Sequence, residues 1–151
     1  MIEDYIKYIT LKRGELGGHA ICPFAKRFLD KTKIIESEDL AKDALECIDS
    51  DEQMMLWMVY GDSSSFTKDW LISFCEKNKD KAKSKDLWLI WDHPDQVNRI
   101  GEVRTNNTEY AILLIQPLTE LKQYSEKLKK TDYYSFWDKS YYKAIVEDRE
   151  S

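Results

Sequence analysis

Three short apolar runs constrain this chain most: MMLWMVY at residues 54–60, LWLIW at 87–91 and YAILLI at 110–115. Each is the length of a strand and too short for a buried helix, and near-continuous apolar character fits a strand covered on both faces. Segments with helical apolar spacing separate and flank them. Ile2, Tyr5, Ile6 and Ile9 predict a helix over residues 2–12. Cys22-Pro23 predicts a helix start, because proline at the first helical position loses no needed N–H. Leu40, Ala44, Leu45 and Ile48 share one face of a helix that Ser37 would cap. Phe66, Trp70, Leu71 and Phe74 mark another, which passes into a charged helix end and loop at residues 76–86.

Residues 33–36 add a short strand, and 97–105 an irregular arm turning at Asn106-Asn107. Leu118, Leu121, Tyr124 and Leu128 outline a helix, and Tyr133, Phe136, Trp137, Tyr141 and Ile145 a last aromatic one. Strands alternating with helices imply α/β architecture. No helix separates the last two strands, so that pair reads as antiparallel. The expectation is one α/β domain over residues 1–151, with a mixed sheet of about four strands covered by helices.

Charge narrows the partners. There are 23 Lys and Arg against 28 Asp and Glu, a net charge of −5. An acidic chain is repelled by phosphate backbones, so nucleic acid is not the expected partner. The lysines at 77, 79, 81, 83 and 85 lack interleaved aromatics and read as a solvated stretch. The longest uncharged apolar stretch, 110–118, is far short of a membrane span, and the charged N-terminus has no signal-like region. Three widely spaced cysteines form no disulfide framework. The expectation is a reduced, cytoplasmic protein that does not engage membranes.

The stretch GGHAICPFAKR, residues 17–27, carries the most chemistry. A cysteine at a helix start faces unpaired N–H groups and the positive end of the dipole, and both lower a thiol pKa. His19, Lys26 and Arg27 add nearby positive charge, and Gly17-Gly18 would let a ligand approach the backbone. Cys22 is thus a candidate nucleophile, with His19 as base and Gly18 and Arg27 as ligand contacts. The alternative is a cysteine packed at a helix start.

A second constellation is Asp92-His93-Pro94-Asp95, after a strand's carboxyl end, where open α/β sheets tend to bind ligands. Two carboxylates around an imidazole can orient a general base or ligate a metal, or simply cap a turn. Their spacing matches no defined metal motif, and neither metal nor cofactor is assigned. Arg104, with Asn106 beside it, would hold a small anionic ligand; the competing reading is a surface ion pair. No GxxxxGK[ST], GxGxxG or GxSxG pattern occurs, which disfavours nucleotide hydrolysis, dinucleotide binding and serine-hydrolase chemistry.

Cys22-Pro23-Phe24-Ala25 resembles the active-site start of glutaredoxin-like domains and omega-type glutathione transferases. That resemblance implies a thioredoxin-type fold as the alternative architecture, in which a strand leads directly into the motif. Ala25 stands where dithiol members carry a resolving cysteine. The order of the Cys-Pro-Phe-Ala motif, an apolar strand, a strand ending in His93-Pro94, and an Asn-containing segment before the last strand is also similar to a poorly characterised bacterial domain family. That second resemblance spans roughly residues 20–128 and implies one shared topology and no reaction.

Two functional expectations follow. One is a small protein with a ligand or catalytic pocket centred on Cys22, performing thiol-dependent transfer or hydrolysis if it is an enzyme. The other is a non-enzymatic interaction or homodimerisation module, whose C-terminal aromatics partly close the core and partly serve assembly.

Overall fold

A computed structural model describes residues 1–106 and 108–150. Four strands form the main sheet: β1 (Thr32–Glu36), β2 (Leu56–Asp62), β3 (Leu87–Asp92) and β6 (Tyr110–Pro117), in the spatial order β1-β2-β6-β3. β1 runs parallel to β2, with Ile34 beside Met58. β6 is antiparallel to both its neighbours, pairing Leu113 with Val59 and Leu114 with Ile90. The mixed α/β architecture expected from the apolar runs is therefore the one observed.

Alternation along each central strand divides its side chains between two cores. Met58, Ile112 and Leu114 face one side with Ile2, Tyr5 and Ile9 of helix α1 (Ile2–Thr10). Trp57, Val59, Leu113 and Ile115 face the other, against α3 (Leu40–Ile48) and α4 (Lys68–Ser84). The short α2 (Pro23–Arg27), α5 (Leu118–Lys129) and the C-terminal segment join α1 on the first face. This two-sided burial explains why the strand runs are continuous rather than alternating in polarity.

The structure departs from the sequence reading at four places. Asp39, not Ser37, caps α3 by accepting from Lys42 N–H; the Ser37 hydroxyl instead bonds the Asp43 carboxylate and the Asp39 N–H. α4 continues to Ser84 through the stretch read as partly loop, because its lysines and glutamate are good helix formers and Ala82 is buried. The arm is a hairpin of β4 (Arg99–Ile100) and β5 (Val103–Arg104) that turns at Gly101-Glu102. Gly101 supplies the positive φ of 58° that this turn requires. Asn106 does not make that turn, and Asn107 lies outside the described residues.

The C-terminal aromatics do not form one helix either. A 3₁₀ turn (Tyr133–Phe136) is followed by α6 (Lys139–Tyr142), a π turn (Lys143–Glu147) and α7 (Asp148–Glu150). Trp137 is extended between them and packs against Tyr133, Tyr134 and Tyr141. Aromatic residues on every side of the segment cannot share one helical face, so the chain bends to bury them against each other.

The thioredoxin-type alternative is not adopted. Cys22 precedes the first strand of the sheet, whereas that arrangement needs a strand leading into the cysteine motif. No helix of the described residues is long and apolar enough to cross a membrane.

Candidate functional site

Between the sheet and the layer formed by α1, α2, α5 and the C-terminal segment lies a cavity of about 150 Å³. Its floor comes from Ile90, Leu114 and Gln116 of the sheet. Tyr5, Tyr133 and Tyr141 supply aromatic walls. Cys22 and Asp92, predicted separately from sequence, both line it.

Cys22 is the residue before α2, as Pro23 leads one to expect. The surroundings of its thiol, however, oppose ionisation. Burial pushes its pKa up, outweighing the opposing pull of the Ala25 N–H, the Arg149 guanidinium and the Phe24 N–H. The helix-start effect read from sequence is thus present and is overcome by desolvation, which disfavours the thiolate. A helix of five residues also brings little dipole to bear.

Asp92 ends β3 and is buried. The Tyr5 hydroxyl donates to one of its oxygens at 2.8 Å, and the His93 N–H to the other at 3.0 Å. Burial pushes the Asp92 pKa up to about 6, against the lowering effect of those two bonds and of the nearby Arg104 guanidinium. Burial likewise raises the Tyr5 and Tyr133 hydroxyls well above the ordinary phenol range and takes Tyr141 to about 12. The thiol and the tyrosine hydroxyls of this wall are therefore held uncharged near neutral pH, whereas Asp92, at about 6, is largely ionised there.

His93 does not line the cavity; it is 2% exposed and engaged by backbone on both sides. Its Nδ1 accepts from the Asp95 N–H at 3.0 Å, which leaves the proton on Nε2, facing the Ser63 carbonyl at 2.9 Å. Asn106, with no exposed surface, donates to the His93 carbonyl and accepts from Asn98 N–H and Arg104 Nε. Arg104 also bonds the Pro94 and Gln96 carbonyls. His93, Arg104 and Asn106 thus form a buried scaffold that fixes the loop after β3, behind Asp92. The Asp95 carboxylate is exposed.

The remaining predicted residues are not brought to this cavity. His19 Nε2 meets the Asp132 carboxylate at 2.9 Å, and its ring packs edge-on to Tyr133. Gly18 is exposed in a left-handed turn with open space around its Cα. Arg27 is exposed and lies over the Phe28 ring. Among the described residues, no group of three or more His, Cys, Asp or Glu side chains converges as a metal site.

No family model, curated protein or solved structure matches the chain. The chemistry of the site therefore rests on the residues themselves.

Sequence reasoning missed Tyr5, Gln116, Tyr133, Tyr141 and Arg149. Gln116 had a usable signal, as the one polar residue at the end of an apolar strand run. Tyr5 is indistinguishable by period from its packed neighbours, and Arg149 sits in a charged tail with no local mark.

Proposed function

We propose that this protein binds a small molecule in the cavity beside Cys22. The observation that carries the reading is the company kept by that cavity: a thiol, a carboxyl, several tyrosine rings and an amide around a volume of about 150 Å³. A volume of that order accepts a benzene-sized molecule. Mostly apolar walls with a few convergent polar groups are the usual make-up of a ligand site.

Binding is favoured over thiol catalysis by two features. Burial raises the Cys22 pKa, so little thiolate is present near neutral pH. Neither histidine lines the cavity to serve as its base. The test is a small-fragment titration of ¹⁵N-labelled protein. Amide shifts concentrated at Cys22, Asp92 and Gln116, with Cys22 protected from alkylation, support the reading. A fragment set of this size that moves none of those resonances overturns it.

Assembly of like chains is the second reading, and β1 is what favours it. β1 lies at one edge of the sheet, and Ile34 on it is 45% exposed. Unpaired edges are templates for strand addition. A dimer in sedimentation equilibrium that Ile34→Lys dissociates supports this reading, and a monomer at high concentration removes it.

A further inference from the structure

Trp88, Leu89, Ile90 and Trp91 of β3 all line one groove of about 350 Å³. Successive strand residues point to opposite faces of a sheet, so a hollow that touches four in a row runs along the strand's edge. β3 is the outer strand beyond β6, and its far side is free of the sheet. Cys75 and Lys79 of α4 wall the groove on one face, and Tyr141 and Ile145 of the C-terminal segment wall it on the other.

The backbone of that edge is set for pairing. The Leu118 N–H donates to the Asp86 carbonyl at 2.8 Å, one step before the β3–β6 register begins with Leu87 opposite Pro117. Antiparallel pairs alternate between bonded and non-bonded, so Trp88 and Ile90 turn their N–H and C=O groups to β6, while Leu89 and Trp91 turn theirs outward. Pro117, with no N–H to give, falls at a non-bonded position, as the alternation requires. Among the described residues, no other backbone group bonds the outward groups of Leu89 or Trp91. Chains usually guard such an edge with charge. β1 carries Lys33 and Glu36, whereas residues 87–91 hold no charge and four of them are partly exposed apolar side chains.

The walls decide what fits. α4 packs chiefly on β3, so pairing this edge with the same edge of a second copy would set two α4 helices roughly 5 Å apart, one strand spacing. Packed helices stand about 8–10 Å apart. A bare extended segment brings no such helix. Charge gives the groove a direction. Only Lys85 and Asp86 separate α4 from β3, so the two run in opposite directions. The Lys79 and Lys83 ammonium groups lie over the Trp88 ring, 5.8 and 5.5 Å from its centre. Glu76 and Asp148 also line the groove, with Glu76 toward the Trp91 end.

We propose that the β3 edge binds an extended, largely apolar segment of another protein by antiparallel strand addition. An acidic side chain near the segment's carboxyl end meets Lys79 and Lys83, and a basic one near its amino end meets Glu76. Main-chain bonds to Leu89 and Trp91 supply the hold, and apolar side chains enter both walls. The proposal rests on neither the small-molecule reading nor the β1 edge.

The test adds pooled hexapeptides Lys-X-X-X-X-Glu, with X drawn from Val, Ile, Thr and Tyr, to ¹⁵N-labelled protein and follows amide hydrogen exchange. The expected result is exchange at Leu89 and Trp91 slowed about tenfold or more, with Trp88 and Ile90, already bonded to β6, little changed. The reversed pool, Glu-X-X-X-X-Lys, should bind about threefold more weakly, the worth of exposed ion pairs. Lys79→Glu with Lys83→Glu should invert that preference, and a pool N-methylated at X should have no effect. Unchanged exchange at Leu89 and Trp91 with millimolar peptide overturns the proposal. Slowing confined to residues 32–36 moves strand addition to β1 and overturns it equally. Slowing that follows the protein's own concentration without peptide names a second copy as the occupant and does the same. Equal binding of the two charged pools overturns the charge assignment. The wild-type series decides by itself should the variant fail to fold.

Discussion

The Tyr5 hydroxyl and the Asp92 carboxylate meet at 2.8 Å across 87 residues of chain, joining the first helix to the end of an edge strand. That bond fixes one corner of the cavity and places a titrating group in an apolar wall.

Because burial raises the Asp92 pKa to about 6, its protonated form is the one favoured by folding. Its contribution to stability is full below about pH 4 and is lost as pH rises to about 6. The difference is roughly 3 kcal/mol for a shift of about two units. Urea unfolding from pH 4 to 7 should show Asp92→Asn gaining on the wild type by that order across this window. A constant difference between the two proteins would contradict the assignment.

Tyr5→Phe removes the donor without changing the ring. It should cost about 1–3 kcal/mol, with the larger loss at pH 8, where the Asp92 carboxylate is ionised and needs the bond, than at pH 4. The same denaturation series reads this out, and an equal loss at both pH values argues against coupling between the two residues.

The three thiols should all be sluggish in the native protein. Burial raises Cys22 and takes Cys47 to about 11 and Cys75 to about 12. Mass-resolved alkylation against pH should find Cys22 labelling with an apparent pKa above that of a free cysteine, about 8.5. Fast labelling at pH 7 would restore the nucleophile reading.

Asn106→Ala strips partners from the His93 carbonyl, the Asn98 N–H and Arg104 Nε at once. Leaving buried groups unpaired should cost about 2–4 kcal/mol. Thermal unfolding should show the loss, and ¹⁵N spectra should show disturbance over the loop after β3. An unchanged midpoint would mean that the loop is held by other contacts.

Much of the fold was legible because its signals are local. The runs containing Val59, Ile90 and Leu113 announce strands by length and apolar continuity, and Pro23 marks the start of α2. The C-terminal segment was misread for the opposite reason. Helical spacing of Tyr133, Trp137 and Tyr141 says nothing about whether those rings pack better on one another than along one face. The site was half legible: Cys22 and Asp92 carry local marks, whereas His93, Arg104 and Asn106 carry equally good marks and belong to a scaffold.

The sequence by itself determined a mixed sheet covered on both faces, since strand-length apolar runs alternating with helical periods leave few other ways to bury apolar surface. Tertiary structure alone decided which polar groups share one cavity and which are consumed in holding a loop. It also decided the state of Cys22. Three favourable local groups predict a lowered pKa, but desolvation depends on everything packed around the sulfur, and here that collective effect wins.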